Sequence, residues 1–103
     1  QEEAFGPVVT VAPIDGVDDA ITLINESRFG LQAGVFTKDL QTAFRLHREL
    51  HVGGVIIGDV PSFRADQMPY GGVKESGVGR EGVSAAMEDF TEQRVMVLSG
   101  LDL

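Results

Sequence analysis

Glu2-Glu3-Ala4-Phe5-Gly6-Pro7-Val8 opens the chain with an acidic pair, a one-residue spacer, an aromatic ring and a rigid Gly-Pro turn. That order holds a carboxylate and a ring at fixed geometry. A carboxylate accepts several hydrogen bonds at once, and a ring restrains an aromatic group packed on it. Taken alone, so short a stretch reads better as a solvated acidic end before a core phenylalanine. Further along, Gly77-Val78-Gly79-Arg80-Glu81-Gly82 matches G-x-G-x-x-G and precedes a helical stripe. A dinucleotide fingerprint must follow a strand, so that strand end and helix N-terminus converge on a pyrophosphate. Val73-Lys74-Glu75-Ser76 does not read as a strand, and Arg80 and Glu81 crowd the turn. These glycines are better read as letting backbone pass close to another element. His47 and His51 are four apart on one helical stripe, but no third metal ligand and no serine–acid arrangement accompanies them. No metal site is expected. Lys74 follows a Gly-Gly turn in an acidic neighbourhood that keeps it charged, which is a structural role.

The elements that must position these residues come from periodicity. Val8–Ala12 is β-branched and reads as a strand buried on both faces. Val17, Ala20, Ile21 and Ile24 line one helix face, with Asp18 and Asp19 at its positive end. Ala33–Thr37 is a second strand. Asp39 is the expected N-cap of a helix whose stripe is Leu40, Ala43, Phe44 and His47. Gly53-Gly54 ends that segment, and Val55-Ile56-Ile57 is a third strand. Strands alternating with amphipathic helices predict an α/β fold, a βαβαβ parallel sheet with flanking helices. Residues 58–82 are rich in glycine and proline and read as one long irregular segment, of the kind that is usually functional. Val83, Ala86, Met87 and Phe90 mark a short helix, and Arg94–Leu98 a last strand outside the alternation.

Composition excludes several functions. A chain of 103 residues is one domain or part of one. Its net charge of −8, from 8 basic and 16 acidic residues, is the wrong sign for binding a phosphate backbone, so no nucleic-acid partner is expected. No apolar run reaches the length of a membrane span. The absence of cysteine rules out disulfides and is compatible with a cytoplasmic location, which is the expectation.

The opening motif and Met68-Pro69-Tyr70-Gly71-Gly72-Val73-Lys74-Glu75-Ser76-Gly77-Val78-Gly79-Arg80-Glu81-Gly82 together resemble the aldehyde dehydrogenase superfamily. They match its EExFGPV signature and its PFGGxKxSGxGREG block. The resemblance implies an NAD(P)-dependent parent enzyme that oxidises an aldehyde to a carboxylic acid through a cysteine thiohemiacetal. That cysteine lies upstream of the opening motif in the family, so this chain contains no catalytic residue and reads as a C-terminal piece that is inactive alone. Residues 1–82 would belong to the catalytic domain, and residues 83–103 would form a connecting helix and an oligomerisation strand. By carry-over, Glu3 bonds the ribose hydroxyls beside the nicotinamide and Phe5 packs near that ring. NAD or NADP is the implied cofactor of the parent; none is expected bound to the piece.

The family's aldehyde entrance corresponds to Pro61–Met68, where Phe63 would pack on substrate and Arg64 would grip an anionic group by a forked contact. This loop resembles the subgroup acting on lactaldehyde and glyceraldehyde-3-phosphate-like aldehydes. Alternatively, Arg64 pairs with Asp66 or faces water. The resemblance further implies a structural ion pair between Arg80 and Glu92 near a subunit interface. As solvated surface charges the two would contribute only ~0–1 kcal/mol. The implied assembly is a homo-oligomer, a dimer or tetramer. Gly58 stands where the family usually has asparagine, and Asp59 is the candidate substitute. A stand-alone interaction module derived from the enzyme is the second reading. A calorimetric titration of NAD into this chain alone is expected to give no binding; saturable binding would instead make the 77–82 loop an independent nucleotide site.

Overall fold

Ten-residue amphipathic segments come first in the architecture. α1 runs Val17–Glu26 and α2 runs Leu40–Glu49. The Asp39 carboxylate caps α2 by accepting from the backbone N–H groups of Gln41 at 3.2 Å and Thr42 at 2.9 Å. It thereby satisfies donors that an uncapped helix leaves open. One face of α2 supplies Ala43 and Leu46, which with Leu50 are the buried apolar residues among those described. The computed structural model describes residues 2–100.

The strands are β1 Phe29–Gly30, β2 Gln32–Val35, β3 Gly54–Ile57 and β4 Val73–Lys74, with a last helix, α3, over Val83–Phe90. β2 and β3 pair in parallel, Gln32 opposite Gly54 and Val35 opposite Ile57, with α2 as the crossover between them. β1 and β4 pair antiparallel as a separate two-stranded ribbon, Phe29 opposite Lys74. The helices are tied by polar contacts as well as packing. The Asn25 side chain donates to Glu49 O at 2.8 Å and accepts from His51 N at 2.7 Å. Arg45 reaches across to Asp18 and back to Glu49, the latter at 3.2 Å.

The expected α/β class and the strand–helix–strand order around α2 are present, with β2 ending two residues earlier than the expected Ala33–Thr37 and β3 starting at Gly54. The full βαβαβ sheet is not present. Only β2-α2-β3 forms a parallel unit among the described residues. Val8–Ala12 carries no strand, and Val9 and Val11 are 86% and 92% exposed rather than buried on both faces. A strand exists by hydrogen bonding to a neighbour, and no described segment lies beside this one. Arg94–Leu98 is likewise without strand pairing and its apolar side chains are exposed. Conversely, Val73–Lys74 is a strand although its sequence does not read as one. Two residues are too few to display a period. No described helix is long and apolar enough to cross a membrane.

Three carboxylates are held below their ordinary range. For Asp39 the chief cause is the Thr42 hydroxyl, for Glu49 the bond from Arg48, and for Glu75 the bond from Arg28. A carboxyl depressed in the folded state stabilises the fold above its unfolded pKa, and that stabilisation is lost as pH falls through the folded value. Asp39→Ala should therefore lower the urea midpoint at about pH 6, by an amount that shrinks as the pH is taken progressively below the ordinary carboxylate range. An equal loss throughout would show that the cap acts without its charge.

Candidate functional site

The chain leaves β3 at Gly58, whose φ of 83° suits glycine and whose N–H extends the ladder to Val35 O at 2.7 Å. Residues 59–72 then return across the parallel pair. The return is close enough to exclude side chains. A Cβ on Gly53 would lie 1.7 Å from Gly71 O, so backbone crosses directly over backbone there.

Polar groups fasten this return. Tyr70 and Glu81 exchange backbone bonds, Tyr70 N to Glu81 O at 2.9 Å and Glu81 N to Tyr70 O at 2.7 Å. Arg80 Nη1 donates to Gly72 O at 3.0 Å and Gly79 O at 2.7 Å. Gly30 N donates to Ser76 Oγ at 2.9 Å. Arg28 and Glu75 form an ion pair beside it. Lys74, at φ 56°, donates from Nζ to the carbonyls of Asn25 at 3.0 Å and Ser27 at 2.9 Å. Its positive charge therefore sits at the negative end of α1, the favourable place for a cation. The 77–82 loop does not form a pyrophosphate cradle. The strand before it is the two-residue antiparallel β4, and the N–H of Glu81 is already bonded to Tyr70.

Glu3 lies at the end of α1 next to β1. It lines a groove of about 380 Å³ with Glu2, Leu23, Glu26, Ser27, Arg28 and Phe29. It also lines an adjoining hollow of about 500 Å³ that reaches Gly30, Gln32, Val52 and Ser76. Its carboxylate makes no ion pair among the described residues. Phe5 is 96% exposed and borders neither space. Phe63 and Arg64 sit on the returning loop, each partly exposed. The Arg64 guanidinium stacks 4.8 Å over the Tyr70 ring and approaches the Glu81 carboxylate at 3.5 Å, not Asp66. Arg80 is taken up by the loop carbonyls, and no ion pair joins it to the exposed Glu92 among the described residues. No described group of three or more His, Cys, Asp or Glu is placed to hold a metal ion.

Gln32 is a contact the sequence reading missed. Its Nε2 donates to Pro61 O at 2.6 Å and Phe63 O at 3.0 Å. The available signal was an amide side chain at the head of an otherwise apolar strand.

The aldehyde dehydrogenase family model matches residues 1–96. The chain belongs to the aldehyde dehydrogenase family. It is 50% identical over 99 residues to the 3-sulfolactaldehyde dehydrogenase of Priestia aryabhattai, covering 96% of this chain and 21% of that protein. It is 41% identical over 99 residues to a lactaldehyde dehydrogenase of Methanococcus maripaludis, again 96% of this chain and 21% of the relative. Among solved structures it is similar to aldehyde dehydrogenase 21 from Physcomitrella patens in complex with the reaction product succinate, with a TM-score of 0.89 and 45% identity. That likeness covers 99% of this chain and 21% of the other. The chain thus spans about a fifth of the length of the family members it matches. In these terms the backbone crossing at Gly53 belongs to the segment that carries the family's glycine block. Gly53→Ala should destabilise at or beyond the usual overpacking loss of about 1–3 kcal/mol, because a carbonyl rather than a flexible side chain opposes the new methyl group. Gly6→Ala, with open space around it, should be near neutral in the same denaturant titration.

Proposed function

We propose that this chain is the C-terminal part of an NAD(P)-dependent aldehyde dehydrogenase that oxidises small anionic aldehydes to acids. The observation that carries the substrate class is Arg64: a half-exposed guanidinium, 49% accessible, on a loop pinned from below. Its geometry can offer two parallel donors to a carboxylate, phosphate or sulfonate. The relatives support this choice, since one acts on a sulfonated aldehyde by its name and the moss enzyme holds the dicarboxylate succinate. Phe63 would pack on the remainder of the substrate.

Glu3 fits the ribose role. Its carboxylate makes no ion pair among the described residues and borders a groove within the usual ~300–1,000 Å³ range of small-molecule sites. Glu3 would accept two ribose hydroxyls, and the exposed Phe5 ring would pack beside the base. When bound, the nicotinamide supplies the hydride acceptor. A cysteine outside these residues would attack the aldehyde carbon, and water would release the acid. The chain supplies positioning to that chemistry and no nucleophile, so alone it is inactive. Residues 1–82 would complete the catalytic domain. Residues 83–103 would link it to a neighbouring protomer, with Arg94–Leu98 adding to that protomer's sheet and Glu92 brought to Arg80.

In the full-length enzyme, Arg64→Ala should raise KM for an anionic aldehyde by about 10–100-fold, the loss of one charge-assisted contact. KM for a neutral aldehyde of similar size should stay within about twofold. Equal effects on both substrates would refute the anion contact.

A further inference from the structure

We infer that Gln32 is a positioning residue that ties the loop bearing Phe63 and Arg64 to the wall of the hollow that Glu3 borders. The inference rests on the reading of that loop as a substrate wall. Gln32 touches both regions. It is among the residues lining the hollow shared with Glu3, and its amide donates to Pro61 O and Phe63 O at 2.6 and 3.0 Å. Two carbonyls on either side of Ser62 are thus held by one amide nitrogen. An amide with two N–H donors is the smallest uncharged side chain that does this. A carboxylate in its place would set acceptor against acceptor.

The surrounding backbone is shaped around the contact. Gly54 is the register partner of Gln32 on β3. A Cβ there would come within 2.7 Å of Gln32 Oε1, so the missing side chain leaves the amide its place. On the same strand, a Cβ at Gly34 would meet Asp59 O at 2.7 Å and Pro61 Cδ at 2.9 Å. Residues 32 and 34 share one face of β2 by the two-residue period of a strand. The loop therefore lies directly on that face, gripped at Gln32 and admitted at Gly34. Arg64 follows the second gripped carbonyl by one residue, so a shift at Phe63 O is passed to the guanidinium with little slack.

The test uses the full-length enzyme with Gln32→Leu and Gln32→Glu. Hydrogen exchange is read at the amides of Phe63 and Met68, which bond Val60 O and Ala65 O within the loop, and at Gly58, which bonds Val35 O. Exchange should quicken at Phe63 and Met68 and hold at Gly58. KM for an anionic aldehyde should rise about tenfold, with kcat and the neutral substrate changed by less than about twofold. Unchanged exchange in both variants overturns the inference. Faster exchange with equal KM rises for both aldehydes, in an enzyme where Arg64→Ala does discriminate, reduces Gln32 to a folding contact and also overturns it. Faster exchange where Arg64→Ala does not discriminate leaves Gln32 as the loop's anchor and removes the anion reading of Arg64 instead.

Discussion

The parallel pairing of β2 with β3 is the constraint on which the remaining geometry depends. Parallel neighbours cannot be joined by a hairpin, so the chain between Val35 and Gly54 must travel back along the pair. It does so as α2, whose Ala43 and Leu46 are buried with Leu50. Register then decides everything downstream. With Gln32 opposite Gly54, the chain emerges at Gly58 beside Val35. From there the chain returns across the ladder, with Asp59 and Pro61 against Gly34 and Gly71 against Gly53. The loop carrying Phe63 and Arg64 is therefore placed by this register together with the polar contacts that fasten its return.

Backbone crossing at such close range removes the side chains that would ordinarily pack a loop. The structure replaces them with charged and polar groups aimed at carbonyls. α1 has no basic residue in its last turn, and Lys74 brings an ammonium to its carbonyls from 47 residues beyond Ser27. Arg80 does the same for Gly72 and Gly79. Carbonyl groups left bare in a partly buried turn are unfavourable, so these cations answer a need created by the glycines. That gives lysine and arginine a structural place inside a glycine-rich block. Arg64 differs in kind. Its partners are a ring face and a carboxylate that water also reaches, and contacts of that sort are exchanged readily for a better anion.

Helices and the two central strands were legible because their signals are local. The stripe over Val17–Ile24, the Asp39 cap and the apolar run Val55–Ile57 each fall within about two helical turns or one strand. The family motifs were legible for a similar reason, being contiguous. Contacts between distant residues were not. Sequence nearness offers Asp66 to Arg64, whereas the fold offers Glu81 and Tyr70, because the Tyr70–Glu81 bridge folds the loop onto itself. Asn25, joining two helices through Glu49 and His51, carries no sequence mark at all. Gln32 stands at the head of a strand, where an amide reads as an edge residue until the returning loop is known.

Val8–Ala12 and Arg94–Leu98 show the other limit of a local signal. Both have strand composition, and neither is paired among the described residues. Composition states what a segment can bury; pairing needs a partner with free edges. The radius of gyration, 19.1 Å, exceeds the ~13 Å of a compact domain of this length, and the apolar side chains of both stretches are exposed along with others on the helices and loops. Apolar surface of this extent is stabilised only when covered. The chain spans about a fifth of the length of its relatives, and among the described residues nothing covers these side chains. On this view the described fold is held internally by polar pins around one small parallel unit. Much of its large apolar side-chain surface faces outward and is not buried in the unit itself.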